Sequence, residues 1–243
     1  MSTGEPSAKG RARWVVVAAV AVTATLYFVP YGIYLAYPML LLSTYAHEMG
    51  HGLAALLAGG ELRALHLYAD GSGLAEASVV GGRWVSAFIA AGGLIGPPMV
   101  AAGFFAATAR ARLARWTLML FAVAMLLSCL WVVRGLFAWI FVGGMGLVCL
   151  AVARRGGPVL VQGAVALLAT QLALSVFSRA DYLFTEVAVV GGGAARPSDV
   201  GQIAAALLLP YWLWGGLIAL FSGAVLAAGL WIFWRATRQG PAD

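Results

Sequence analysis

Apolar residues fill this chain in long runs: Trp14 to Tyr34, Tyr37 to Ala58, Trp84 to Thr108, Trp116 to Val133, Leu136 to Ala153, Val159 to Ser178 and Ile203 to Trp234. A helix that crosses a bilayer needs about 20 apolar residues. Each run is therefore a candidate span, and the overlong last one is expected to tilt or to begin outside the hydrocarbon. Gly92-Gly93 and Gly96-Pro97-Pro98 interrupt the third run. Such breaks are tolerated where neighbouring helices or a cavity satisfy the backbone, which predicts tight packing against the helix of the second run. Residues 59–82 differ: two short strand-like runs flank Asp70-Gly71-Ser72-Gly73, the pattern of a β-hairpin or re-entrant loop. The pattern as a whole predicts an all-α polytopic membrane protein with about six to seven transmembrane helices. Residues 1–13 read as a disordered basic tail, and residues 14–238 as a single membrane-embedded domain.

Composition supports this reading. Of 243 residues, 63% are hydrophobic and only 10% charged, against roughly 25% charged in a soluble domain. No stretch is polar enough to form a separate soluble catalytic domain. The net charge of +6 is spread over short junctions: Arg110, Arg112 and Arg115; Arg154 and Arg155; Arg235 and Arg238. These are candidate cytoplasmic ends under the positive-inside rule. The basic amino-terminal tail should lie on the same side, yet seven simple crossings disagree with that by one. A segment between residues 14 and 82 that does not fully cross would remove the conflict, as would a misassigned tail, and the orientation stays open. No clustered basic face suits a nucleic acid. The expected partners are the lipid bilayer and a membrane protein substrate. Cys129 and Cys149 sit in apolar runs and read as small buried hydrophobes.

The chemistry is concentrated in the second run, at His47-Glu48-Met49-Gly50-His51. On a helix, His47 and His51 lie one turn apart on one face, so both imidazoles can reach one metal ion. Ionisable groups inside an apolar span are costly and mark a functional site. Zinc suits two imidazoles plus a carboxylate. Glu48, beside the first ligand, is the candidate general base toward zinc-bound water. The third ligand must come from elsewhere. Asp181, at the end of an apolar run, is the first candidate, with Asp199 and Glu186 as alternatives. Asp199 follows Pro197-Ser198 and reads more simply as part of a helix N-cap. Glu186 reads as an interfacial charge, His66 as a hydrogen-bonded histidine, and Arg134 as a side chain snorkelling to the interface.

These residues resemble the site-two protease family of intramembrane zinc metalloproteases. The resemblance rests on His47-Glu48-x-x-His51-Gly52, the following Leu53 to Gly60, the hairpin with Asp70-Gly71-Ser72-Gly73, and Gly92-Gly93-Leu94-Ile95-Gly96-Pro97, which matches the family's helix-breaking third element. Ser198-Asp199 and Pro210-Tyr211-Trp212-Leu213-Trp214-Gly215 resemble the ending of its small bacterial peptidase M-fifty-B-like branch. The family implies Asp181 as ligand by position, although Asp181 stands in Ala-Asp-Tyr where the family has Leu-Asp-Gly. The usual Asn after the Gly-Pro element is missing. The resemblance implies a multi-pass protein of the bacterial inner membrane that cleaves a membrane-spanning or membrane-proximal segment of a protein substrate. The alternative is a non-proteolytic metal-binding adaptor or carrier on the same scaffold. A carrier would show repeat symmetry between its halves, and the sequence has no convincing repeat.

Overall fold

Within hydrocarbon a chain must satisfy its own backbone hydrogen bonds, so long apolar runs fold as helices. The computed structural model describes residues 7–178, 183–193 and 195–238. Among them eight helices and five short strands follow in order: α1 (Ala8–Phe28), α2 (Gly32–Leu57), β1 (Glu61–Leu67), β2 (Gly73–Ser78), α3 (Arg83–Thr108), α4 (Ala111–Trp131), β3 (Val133–Arg134), α5 (Leu136–Arg155), α6 (Pro158–Ser178), β4 (Val187–Val189), β5 (Ala195–Pro197), α7 (Asp199–Leu207) and α8 (Tyr211–Arg238). The protein is thus an all-α membrane protein with a small β part. By length and apolarity, α3, α4, α5 and α8 are candidates to cross a membrane, and α6 carries a shorter apolar stretch, Pro158–Leu174.

Two features differ from the run pattern. Ile203 to Trp234 is not one helix. Leu208 takes a left-handed conformation (φ 66°) and closes α7 by donating its N–H to the Ala204 carbonyl. Pro210 then leads into the next element, its carbonyl accepting from the Leu213 N–H in the first turn of α8. Conversely, α3 is continuous from Arg83 to Thr108 despite Pro97 and Pro98. Its glycines do not break it. They let it approach α2 at backbone distance. A Cβ at Gly50 would collide with the Gly92 carbonyl, one at Gly92 would lie 2.5 Å from the Ala54 Cβ, and one at Gly96 would lie 3.2 Å from the Gly50 Cα.

The expected hairpin is present. β1 and β2 pair antiparallel with Leu65 opposite Ala75, and β1 pairs parallel with β3, giving the order β2-β1-β3 with β2 at an edge. The turn is set by Gly71 (φ 86°) and by the Asp70 carboxylate, which accepts from the Ser72 N–H and hydroxyl at 2.9 and 2.6 Å. Two residues of α2 hold the turn: Tyr37 donates its hydroxyl to Ala69 O (2.7 Å) and Thr44 to Gly71 O (2.7 Å).

The helices give the molecule two poles. At one, Arg13 at the start of α1 donates to Thr237 near the end of α8, at 3.2 Å to Oγ1 and 2.8 Å to the carbonyl. At the same pole, Ala102 of α3 lies against Gly229 of α8, and the Arg115 guanidinium, near the start of α4, donates to the carbonyls of Ala153 and Gly156 at the end of α5. The β1-β2-β3 sheet lies at the other pole, where β3 joins α4 to α5. Exposed tryptophans mark both levels: Trp14, Trp116, Trp231 and Trp234 toward the first, Trp84, Trp131, Trp139 and Trp212 toward the second. Paired aromatic belts of this kind sit at membrane–water interfaces. Cys129 and Cys149 are free and buried, as expected.

Candidate metal centre

His47, Glu48 and His51 lie on α2 where it packs against α3 and the hairpin. The His51 ring occupies space that exists only because residue 93 is glycine: a Cβ there would collide with the imidazole. Its Nδ1 is 2.8 Å from the Ile89 carbonyl of α3. A carbonyl can only accept, so this contact assigns the proton to Nδ1 and leaves the Nε2 lone pair free, the usual outer-sphere arrangement of a metal-binding histidine.

The carboxylate that meets the two imidazoles is Asp199. Its Oδ2 lies 3.0 Å from His47 Nε2 and its Oδ1 lies 3.4 Å from His51 Nε2, while the two Nε2 atoms are 3.2 Å apart. His47, His51 and Asp199 form a group whose ligand atoms all lie within 4.8 Å of one another. Tetrahedral zinc with bonds of 2.0–2.1 Å requires ligand atoms about 3.3 Å apart. The 3.2 Å between the imidazole nitrogens and the 3.0 Å from His47 Nε2 to Asp199 Oδ2 lie near that edge, while His51 faces the other carboxylate oxygen, so two imidazoles and a carboxylate suit the ion in chemistry and stand within reach of one centre.

Asp199 is delivered by the fold of α7. Ser198 is the N-cap: its Oγ accepts from Gly201 N at 3.0 Å and donates to Thr185 O. With the cap position already filled, the Asp199 carboxylate in the first helical turn is free to turn toward α2. The expected helix N-cap at Ser198-Asp199 is present, but it is the serine that caps, and the aspartate, in the first turn, meets the histidines. Asp181 lies outside the described residues. Glu186 is exposed and absent from the group. His66 is 3.3 Å from Glu76 on the hairpin surface, and Arg134 donates to the carbonyls of Val133 and Trp131.

Glu48 is buried (7% exposed), and its Oε2 accepts from the Ala75 N–H of β2 at 2.7 Å. Gly73 makes room for it, since a Cβ there would lie 2.7 Å from Glu48 Cγ. All four residues line one cleft of about 550 Å³. One wall is β2, through Gly73, Leu74, Ala75 and Ala77; the opposite wall is the antiparallel pair β4-β5, through Ala188, Arg196 and Pro197. This second hairpin was not anticipated. Its strands have three residues each, too short for alternation to register. The two hairpins touch at their tips, where Gly191 N–H donates to the Ser72 hydroxyl at 2.9 Å.

No curated protein and no solved structure matches the chain. The family model described as Peptidase M50B-like matches residues 15–229. That match covers the motif helix, both walls of the cleft and the aspartate of the candidate metal group, and it agrees with the resemblance to site-two proteases. The chain belongs to the Peptidase M50B-like family.

Proposed function

We propose that this protein is a membrane-embedded zinc endopeptidase that cleaves a membrane-spanning or membrane-proximal segment of a protein substrate. The observation that carries the reading is the convergence of His47, His51 and Asp199, with ligand atoms within 4.8 Å of one another and Glu48 beside them in one cleft. Zinc, held by these three side chains, would supply Lewis acidity and lower the pKa of water to near neutrality.

The rest is done by the chain. Glu48 is placed to take the proton from the attacking water and return it to the leaving amine. Its bond from Ala75 fixes one carboxylate oxygen and leaves the other for that exchange. The Ile89 carbonyl holds the His51 ring in one orientation. β2 is an edge strand with its free side on the cleft. Along a strand, backbone groups alternate in direction, so Gly73 and Ala77 offer theirs to the same edge as Ala75. An extended substrate segment can pair there by strand addition. The cleft's small side chains, Ala75, Ala77, Ala90 and Ala188, leave room for that segment.

The Glu48→Gln variant tests the reading with a membrane-anchored reporter and a metal assay. The account expects bound zinc to be retained and cleavage to be lost. Cleavage at the wild-type rate would remove the mechanism. Retained zinc, with no cleavage by the wild type of any membrane reporter, would favour the adaptor instead.

A further inference from the structure

The two poles differ sharply in charge. One carries Lys9, Arg11 and Arg13 at the start of α1, Arg110, Arg112 and Arg115 at the start of α4, Arg154 and Arg155 at the end of α5, and Arg235 and Arg238 at the end of α8. Among the described residues, no Asp or Glu lies there. Glu48, Glu61, Asp70, Glu76, Glu186 and Asp199 all belong to the pole of the two hairpins, with Arg63, Arg83, Arg134 and Arg196. Ring contacts occur at both poles: Arg13 and Arg238 lie 4.9 and 4.7 Å from the Trp234 ring centroid and Arg235 lies 4.1 Å from that of Trp231 at the basic one, and Arg83 lies 5.9 Å from that of Trp84 at the other. Arginine stacked on interfacial tryptophan is the signature of a headgroup-level anchor.

The helix order fixes what lies at each end. α1 starts at the basic pole, where Arg13 bonds Thr237, and α6 starts there too, where Gln162 donates to Thr108 O at the end of α3, so the Thr23–Gln171 bond farther along both means that they run in the same direction. α3 and α8 likewise run together to the basic pole, through Ala102 and Gly229. α1 therefore ends at the hairpin pole, where α2 begins. α2 returns to that same pole, because it leads directly into β1. The turn of the hairpin is bonded to Tyr37 and Thr44 in the first half of α2, and Tyr45 bonds Ser128 near the hairpin-pole end of α4.

We infer that α2 does not cross the membrane, that α1, α3, α4, α5, α6 and α8 do, and that the basic pole is cytoplasmic. The metal centre then opens toward the extracytoplasmic side. The positive-inside rule sets this orientation, because it counts Lys and Arg in short junctions near the ends of spans and gives Asp and Glu little weight. Six crossings place the first helix's start and the last helix's end on one side, as the Arg13–Thr237 contact requires. The conflict of one crossing in the charge pattern disappears, since the motif helix is the segment that fails to cross. On the protease reading proposed above, the substrate class is a membrane protein whose scissile segment lies at the extracytoplasmic boundary.

The test labels single cysteines with a membrane-impermeant maleimide on the full-length protein in intact bacterial spheroplasts. Cys129 and Cys149 are buried, so the wild-type chain gives the background. Glu61→Cys and Glu186→Cys, exposed at the hairpin pole, are expected to label in intact spheroplasts. Gly157→Cys, exposed at the basic pole with open space around its Cβ, is expected to label only after permeabilisation. The opposite pattern, equal labelling of both poles, or no labelling even after permeabilisation would each overturn the orientation. Labelling involves no cleavage. A reversed pattern thus leaves the protease reading standing, while the expected pattern without cleavage of reporters on either side removes the protease reading and keeps the orientation.

Discussion

At the scale of single residues, the site depends as much on absent side chains as on present ones. Gly93 and Gly73 contribute nothing to the chemistry, yet one makes space for the His51 imidazole and the other for Glu48. Replacing a mid-helix glycine by alanine ordinarily stabilises a helix by about 0.5–1 kcal/mol. Gly103, with open space around its Cβ, is expected to show that small gain as Gly103→Ala. Gly93→Ala is expected to do the reverse, driving the His51 ring aside and weakening zinc binding by on the order of 10–100-fold, the range seen when groups that orient metal ligands are lost. Thermal unfolding and competitive zinc titration of the two variants check the opposite signs. Unchanged zinc affinity in Gly93→Ala would mean that His51 is not held where the structure places it.

At the scale of elements, α2 and the first hairpin were legible because their signals are local. The two histidines are four residues apart, and Asp70-Gly71 sits between two strand-like runs. α7 was not legible. It is nine residues long and merges into the apolar run that continues as α8. The cue was present in Pro210, since a proline disfavours helical backbone at the residue before it, and in Ser198 directly before Asp199. Only one of two adjacent residues can be the N-cap, so reading serine as the cap frees the aspartate for another partner. That geometry makes Ser198 a positioning residue. Ser198→Ala removes its bonds to Gly201 and Thr185 and should cost about 1 kcal/mol in stability. It should also weaken zinc binding, because Asp199 is the next residue. Ser198→Thr, which keeps the hydroxyl, is expected to restore both. Lower stability with unaltered zinc affinity would confine Ser198 to helix capping.

At the scale of the molecule, the candidate metal group joins the motif helix to a short helix that follows four intervening helices, α3 to α6. Such long-range convergence is invisible to sequence pattern. Composition and run length were enough for the helical membrane fold, but the partner of His47 and His51 depends on how those helices pack. A metal at this point would clamp α7 and the second hairpin onto α2, so its binding free energy would contribute directly to folding. Zinc is accordingly expected to raise the unfolding temperature of the wild-type chain and to have little effect on Asp199→Ala. The most direct test of the metal centre is the zinc content of purified wild-type, Asp199→Ala and Asp181→Ala proteins, measured by elemental mass spectrometry. The account predicts about one zinc per chain in the wild type and in Asp181→Ala, and a loss of bound zinc in Asp199→Ala. Zinc retained in Asp199→Ala and lost from Asp181→Ala would contradict it.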